Sequence, residues 1–202
     1  METREKIIQV AMEQFMLYGV RAVTMDDIAR NGGISKKTIY EEFTSKEELV
    51  NGVFESAMRQ DECVFQEMME KEESAIDHLI RMTKYLRGRF AKMNPLVLHD
   101  IQRYYPQCWK RLEQFKREHA LKGIAGILER GKKSGDFRPE INSEILAHMR
   151  LEQVTNSFSG NFPSDGYSLL DFQLQVLDHF IHGLLTDQGR ATYYQKLKNQ
   201  ER

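Results

Sequence analysis

The chain has 202 residues, of which 41% are hydrophobic and 29% charged, and its formal net charge is −1 with a pI near 6.6. That composition excludes disorder as the default and allows one or two compact domains. The near-neutral balance argues against a uniformly basic nucleic-acid binder, so any such contact has to be local.

The opening METREKIIQVAMEQ is charged and amphipathic, not a basic end leading into an apolar core, so no signal peptide is expected. No apolar run is long enough to span a bilayer, and the chain is expected to be cytoplasmic with no membrane partner. Cys63 and Cys108 lack CxxC spacing and are expected to be reduced, packed thiols.

Nearly all of the chain repeats at helical period. Ile7, Ile8, Ala11, Phe15 and Tyr18 form one apolar face, and Gly19 suits the left-handed position that ends a helix. Thr24–Asp27 (TMDD) resembles a capping box with Asp in place of Glu or Gln. The short helix it opens ends at Asn31–Gly33, and Ser35 is the next N-cap. Ser45 and Glu48 have full capping-box spacing.

Longer helices are expected beyond: Ser45 to about Lys71, then Ala75–Met93, stopped by Asn94-Pro95. A short helix reaches Tyr105, and Pro106 opens a long one through Arg130. Gly131–Pro139 reads as a loop, Asn142–Phe158 as a helix, and Leu169 to about Thr186 as the last strong helix. With no β-alternating run and no internal repeat, the chain is expected to be all-α.

The helix from Leu169 carries two apolar stripes. Leu170, Leu174, Leu177, Ile181 and Leu184 form one, and Leu169, Phe172, Val176 and Phe180 the other. Two stripes want two surfaces, so this helix is either buried all round in a monomer or packed on its own domain and a partner subunit. The second reading is adopted, with Gly183 admitting close approach of another helix.

The helix, NGG turn and helix over Thr24–Glu42 have helix-turn-helix spacing, in which the second helix can enter the major groove. On that second helix Ile39 and Phe43 point one way, while Lys37, Thr38, Glu41 and Glu42 point the other with Lys36 and Tyr40 on the flanks. Its charges oppose the helix dipole: lysines at the start, glutamates at the end. Lysines beside free N–H groups make an anion site, so Lys36, Lys37 and Lys46 suit phosphate or base-edge contact. Glu41 could pair with Lys37, or Glu41 or Glu42 could accept from cytosine N4, or both could face solvent.

At this point residues 5–50 resemble the N-terminal domain of the tetracycline-repressor (TetR) family of bacterial transcription regulators, through F…YG, T…IA, GIS…TIY and SKEEL. The resemblance implies an all-α homodimer. A three-helix helix-turn-helix domain (1–48) would bind a palindromic double-stranded DNA operator, and a larger helical domain (49–202) would bind a small-molecule effector and dimerise. Carried over by position, Thr24, Tyr40 and Lys46 would touch phosphates and Lys36, Lys37 and Thr38 would face the groove; Ser35, the N-cap, is expected at the DNA with them. The dimer interface would be the four-helix bundle of the final helices, including Leu170, Leu174, Leu177, Ile181 and Leu184. The chain departs from the family in having Glu at 41 and 42. Residues 1–50 hold seven basic and nine acidic side chains, a net of −2, so DNA binding would rest on placed lysines and a moderate salt slope.

An effector cavity would draw on aromatic and a few polar groups. The candidates are Thr83, Tyr85, Phe90, His99, Tyr104, Trp109 and Phe115. Arg81, Lys84 and Arg87 read as a solvated face. Glu144, His148 and Glu152, with His179 and His182 on the next helix, lack the full di-metal constellation, so no metal is assigned. There is no GxSxG, P-loop or GxGxxG, so neither catalytic residues nor a cofactor is expected. The alternative reading is a helical-bundle enzyme or metal-binding protein without DNA function.

Overall fold

A computed structural model describes residues 2–70, 73–91, 93–94, 96–156 and 166–200. The described residues are helical, joined by short connections; the one β-type contact among them is an isolated bridge between Phe137 and Leu185. Two compact units result.

The first unit is built on Met1–Val64 and Lys92–Glu113. Helix α1 (Thr3–Tyr18) buries Ile7, Ala11 and Phe15. Gly19 ends it with its N–H donating to the Phe15 carbonyl, but at φ 85 and ψ 158. This is the extended positive-φ region open to glycine, not the left-handed helical one expected. Helix α2 (Met25–Gly32) carries the Thr24 capping box in full: Asp27 N donates to Thr24 Oγ1 at 3.2 Å and Thr24 N to Asp27 Oδ2 at 3.0 Å. Gly33 closes it in the left-handed conformation (φ 59, ψ 37). Helix α3 (Lys36–Glu42) starts at Ser35, whose Oγ accepts from Thr38 N at 3.0 Å. Helix α4 (Lys46–Glu70) begins with an altered box: Glu48 N donates to Ser45 Oγ, but the Glu48 carboxylate takes the N–H and hydroxyl of Thr44.

Helices α6 (Leu96–Tyr104) and α7 (Pro106–Phe115) follow later in the chain. Asn94 precedes α6, and its N–H donates to the Met16 carbonyl at 2.8 Å. Ile101 of α6 and Cys108 of α7 join the core formed by Ile7, Phe15, Ile28 and Ile39.

The second unit is built on Phe65–Ala91, Gln114–Ser157 and Asn161–Arg202. Helix α5 (Ala75–Phe90) stops three residues before the expected Met93, its last turn closed by Ala91 N on the Arg87 carbonyl. The helix expected from Pro106 through Arg130 is not uniform. After α7 comes a π-helical segment, Lys116–Ala120, and then α8 (Leu121–Lys133). Periodicity cannot register one turn widened by a residue. Part of the expected Gly131 loop is thus helical, because Phe137 folds back over Gly131 and donates its N–H to that residue's carbonyl.

Helix α9 (Ser143–Asn156) and helix α10 (Leu169–Leu184) follow; the expected Phe158 end lies outside the described residues. A further helix, α11 (Asp187–Gln200), escaped the sequence reading because it has few apolar positions, chiefly Tyr193 and Leu197. It is anchored at its start by Thr186, whose hydroxyl donates to the Gly135 carbonyl at 2.7 Å and accepts from Gly189 N. The core of this unit includes Ile76, Ile80, Leu128, Phe137, Ile181 and Leu184. Of the two cysteines, Cys108 is buried but Cys63 is exposed, so only one is the packed thiol expected.

Candidate nucleic-acid interface

Burial sorts α3 into two sides. Ile39 and the following Phe43 are fully buried, fixing the helix on the first unit's core. Ser35, Lys36, Lys37 and Tyr40 are exposed on the other side, and Thr38 is half-buried. Thr24 is exposed at the start of α2, and Lys46 is half-buried at the start of α4. All seven residues expected at DNA therefore lie in one unit.

Each basic group already has a partner, and the partners differ in kind. Lys36 Nζ lies 2.6 Å from Asp26 Oδ1 on α2, and that hydrogen bond, with its charge attraction, raises the lysine pKa. Lys37 Nζ lies 3.7 Å from Glu41, one turn on, with both side chains mostly exposed. Lys46 Nζ donates to the Arg21 backbone carbonyl at 3.1 Å. Burial pushes the Lys46 pKa down, against the attraction of Asp100 and Asp27. Exposed pairs of this sort hold weakly and are screened by salt, so an arriving phosphate competes with them readily.

The charge of Glu42 at the end of α3 is met by a residue that helical periodicity does not single out. Arg4, in the first turn of α1, donates to the Glu42 backbone carbonyl at 2.5 Å. Its guanidinium also lies 3.8 Å from the Glu42 carboxylate, 3.9 Å from Glu48, and 4.0 Å over the Phe43 ring. A cation at the helix C-terminus satisfies an orphan carbonyl and offsets the unfavourable Glu42 charge. The contact spans 38 positions, so no local pattern announces it.

The turn between α1 and α2 is held from α6. Asp100, buried, accepts from Arg21 N at 2.8 Å, and Tyr104 OH accepts from the Arg21 guanidinium at 3.2 Å.

The expected effector residues are divided between the two units. His99, Tyr104 and Trp109 belong to the first unit; Thr83, Tyr85, Phe90 and Phe115 belong to the second. Thr83 lines a cavity of about 360 Å³ in the second unit with Arg87, Asp171, Leu174, Leu177 and Ile181. Phe115 stacks edge-on with Phe65, centroids 5.9 Å apart. Of the residues assigned to a dimer interface, Leu177, Ile181 and Leu184 lie in the second unit's own core, whereas Leu170 and Leu174 are half-buried. Among the described residues, nothing lies within 4 Å of a Cβ built on Gly183. On α9 the outward Ile145 and Met149, four residues apart, are 64% and 40% exposed. That spacing on a polar helix was the available signal for them.

Among the described residues there is no group of three or more His, Cys, Asp or Glu side chains that could hold a metal ion, and no helix long and apolar enough to cross a membrane.

Comparison with known proteins agrees with this geometry. Residues 7–53 match the family model of bacterial regulatory proteins, tetR family. Over 194 residues the chain is 24% identical to the HTH-type transcriptional repressor KstR2 of Mycolicibacterium smegmatis, covering 92% of each chain. Its fold is similar to that of a TetR-family transcriptional regulator from Agrobacterium tumefaciens (TM-score 0.73, 16% identity, 91% of this chain and 97% of that one). It is also similar to FadR from Bacillus subtilis, solved in complex with stearoyl-CoA (TM-score 0.60, 19% identity, 89% of this chain and 98% of that one).

Proposed function

We propose that this chain, whose residues 7–53 match the family model of bacterial regulatory proteins, tetR family, is a transcriptional repressor that binds a palindromic operator as a homodimer and is released by a small molecule. The observation that carries this reading is the two-sided α3: Ile39 and Phe43 wholly buried, and Lys36, Lys37 and Tyr40 exposed. A helix so mounted can enter a major groove with Lys36, Lys37 and Thr38 toward base edges. Thr24, Tyr40 and Lys46 then meet phosphates, and Ser35 holds the N-terminal turn.

Two such helices, one per subunit, would read half-sites about 34–36 Å apart. Residues 1–48 serve as the DNA-binding domain and 49–202 as the effector and dimerisation domain. Dimerisation would use the outward faces of α9 and α10, where Ile145, Met149, Leu170 and Leu174 remain at least partly accessible. The three deeper leucine and isoleucine positions of α10 would support that face from within. FadR, similar in fold and solved in complex with stearoyl-CoA, supports a small-molecule effector for this chain. An effector that favours one spacing of the recognition helices is coupled to DNA by a reciprocal free energy, typically about 1–3 kcal/mol. The protein would act in the cytoplasm, without catalysis and without a resident cofactor.

The test is selection of genomic fragments at low salt by the purified full chain, followed by binding of the selected site. Specific retention by wild type and weakened retention by Tyr40→Ala and Lys46→Ala are expected. Failure of the wild type to select any sequence would end the repressor reading.

A further inference from the structure

Arg150 has a setting that the DNA-binding reading does not use. It lies on the inward side of α9 with Ser143 and Ala147, at i, i+4 and i+7, and is 5% exposed. Among the described residues, neither terminal nitrogen of its guanidinium has a hydrogen-bond acceptor. Burial alone lowers its pKa to about 10, so it stays a cation at neutral pH. A buried cation without an acceptor is among the most costly arrangements a fold can hold.

Among the described residues, the acidic side chains of α8, α9, α10 and the π-helical segment are committed elsewhere or exposed. Glu129, the one acid on α8, accepts from Ser143 and Lys132. On α9, Glu144 is exposed and Glu152 pairs with Lys116 at 3.8 Å. On α10, Asp171 caps Ser168 and Asp178 lies 3.4 Å from His182. In the π-helical segment, Glu118 accepts from Gln114.

A second buried polar group lies nearby. Gln173 of α10 is 2% exposed, and its Nε2 reaches the carbonyl of Val154, one turn beyond Arg150 on α9. Among the described residues its Oε1 has no donor. Register gives the level along α8 and α9. Ser143 meets Glu129 at one end of the hairpin and Glu152 meets Lys116 at the other. Arg150 therefore comes level with the π-helical segment, a distortion that commonly accompanies binding sites. Phe115 precedes that segment, with the rings of Phe65 and His119 within 6 Å of its own.

We propose that Arg150 and Gln173 form the polar end of the effector site, and that the effector is an organic oxyanion, a carboxylate or phosphate carried on an apolar body. The guanidinium takes two oxygens of the anion side by side, and Gln173 Oε1 takes a ligand N–H or O–H. The apolar body lies along the aromatic groups at the π-helical level. Arg150 faces into its own chain, so a partner subunit's carboxylate does not serve it. This deepens the proposed effector function and rests on that reading of the second unit.

The experiment uses the full chain, with dodecanoate, dodecyl phosphate and dodecanol as probes, followed by thermal shift and calorimetry. Dodecanoate or dodecyl phosphate is expected to bind and raise the Tm of wild type, and the better of the two tells which oxyanion is native. Dodecanol is expected to bind about 10- to 100-fold more weakly. Arg150→Met should bind acid and alcohol alike, and Arg150→Lys should keep part of the preference. Without ligand, Arg150→Met should melt no lower than wild type, since no partnered group is lost. Absence of any shift with both anions, an equal response in Arg150→Met, or a ligand-free Arg150→Met that melts well below wild type would each overturn the proposal. Operator retention by unliganded wild type is measured on the same samples. Its loss alone removes the DNA reading and leaves the oxyanion result standing.

Discussion

The carboxylate of Asp100 accepts the backbone N–H of Arg21 at 2.8 Å, and the carbonyl of the same Arg21 accepts Lys46 Nζ at 3.1 Å. One residue in the α1–α2 turn is thus held from α6 by its N–H and itself holds a proposed phosphate contact by its carbonyl. Asp100→Ala would leave the Arg21 N–H without its acceptor in a part-buried place. A loss of about 1–3 kcal/mol in denaturant unfolding is expected, together with weaker operator binding as Lys46 loses its rest position. Stability unchanged within error would mean that water replaces the carboxylate.

Lys36 is matched to Asp26 in the free protein, so DNA has to compete with that carboxylate. Asp26→Asn is expected to tighten operator binding, and Lys46→Ala to reduce the slope of log K against log salt by about one. Titrations at several salt concentrations measure both. An Asp26→Asn variant that binds more weakly would place Asp26 itself among the base contacts.

Gly189 and Gly183 should respond oppositely to alanine. A Cβ at Gly189 runs into the backbone of Asp136, whereas one at Gly183 meets nothing among the described residues. Gly189→Ala should lose about 1–3 kcal/mol through overpacking. Gly183→Ala, inside α10, should gain roughly 0.5–1 kcal/mol in the isolated subunit. If a second subunit packs closely at Gly183, the same change weakens self-association, which sedimentation at several concentrations reads directly.

Acid should destabilise the second unit in a specific window. Burial raises the Asp77 pKa, but hydrogen bonds from Lys196 and Ser74 outweigh it, and the net shift is downward from 3.8. The Ser143 hydroxyl and then Lys132 hold Glu129 below its ordinary 4.5. Carboxylates depressed on folding contribute stability that is fully present above these ordinary values and is lost as pH falls through the lower folded ones. Tm should therefore be flat near neutrality from these two groups and fall below about pH 4.5. Asp77→Asn should show a shallower fall than wild type.

The thiols should separate by reactivity. Cys63 is exposed, while Cys108 is buried, donates to Asn51 Oδ1, and has its pKa pushed up to about 11 by burial. A maleimide at neutral pH should modify one thiol in the native protein and a second only on unfolding. Mass analysis of the Cys63→Ser variant before and after denaturation checks this.

Much of the fold and the outline of the candidate interface were legible in the amino-acid sequence, and the reason is locality. Thr24 with Asp27, Ser35 with Thr38 and the glycine at 33 act within one turn, so spacing alone predicts α2 and α3 and their mutual turn. The buried pair Ile39 and Phe43 and the exposed lysines follow from the same periodicity. What only the tertiary structure decided lies across long separations. Arg4 reaches Glu42, Asp100 reaches Arg21, and Leu177, Ile181 and Leu184 turn into their own core. The inward turn of Arg150 belongs with these. A charged residue midway along an amphipathic helix reads as solvated until neighbouring elements bury it, and burial depends on packing from distant parts of the chain. Periodicity defines a side chain's angle around its own helix; it leaves open what stands opposite.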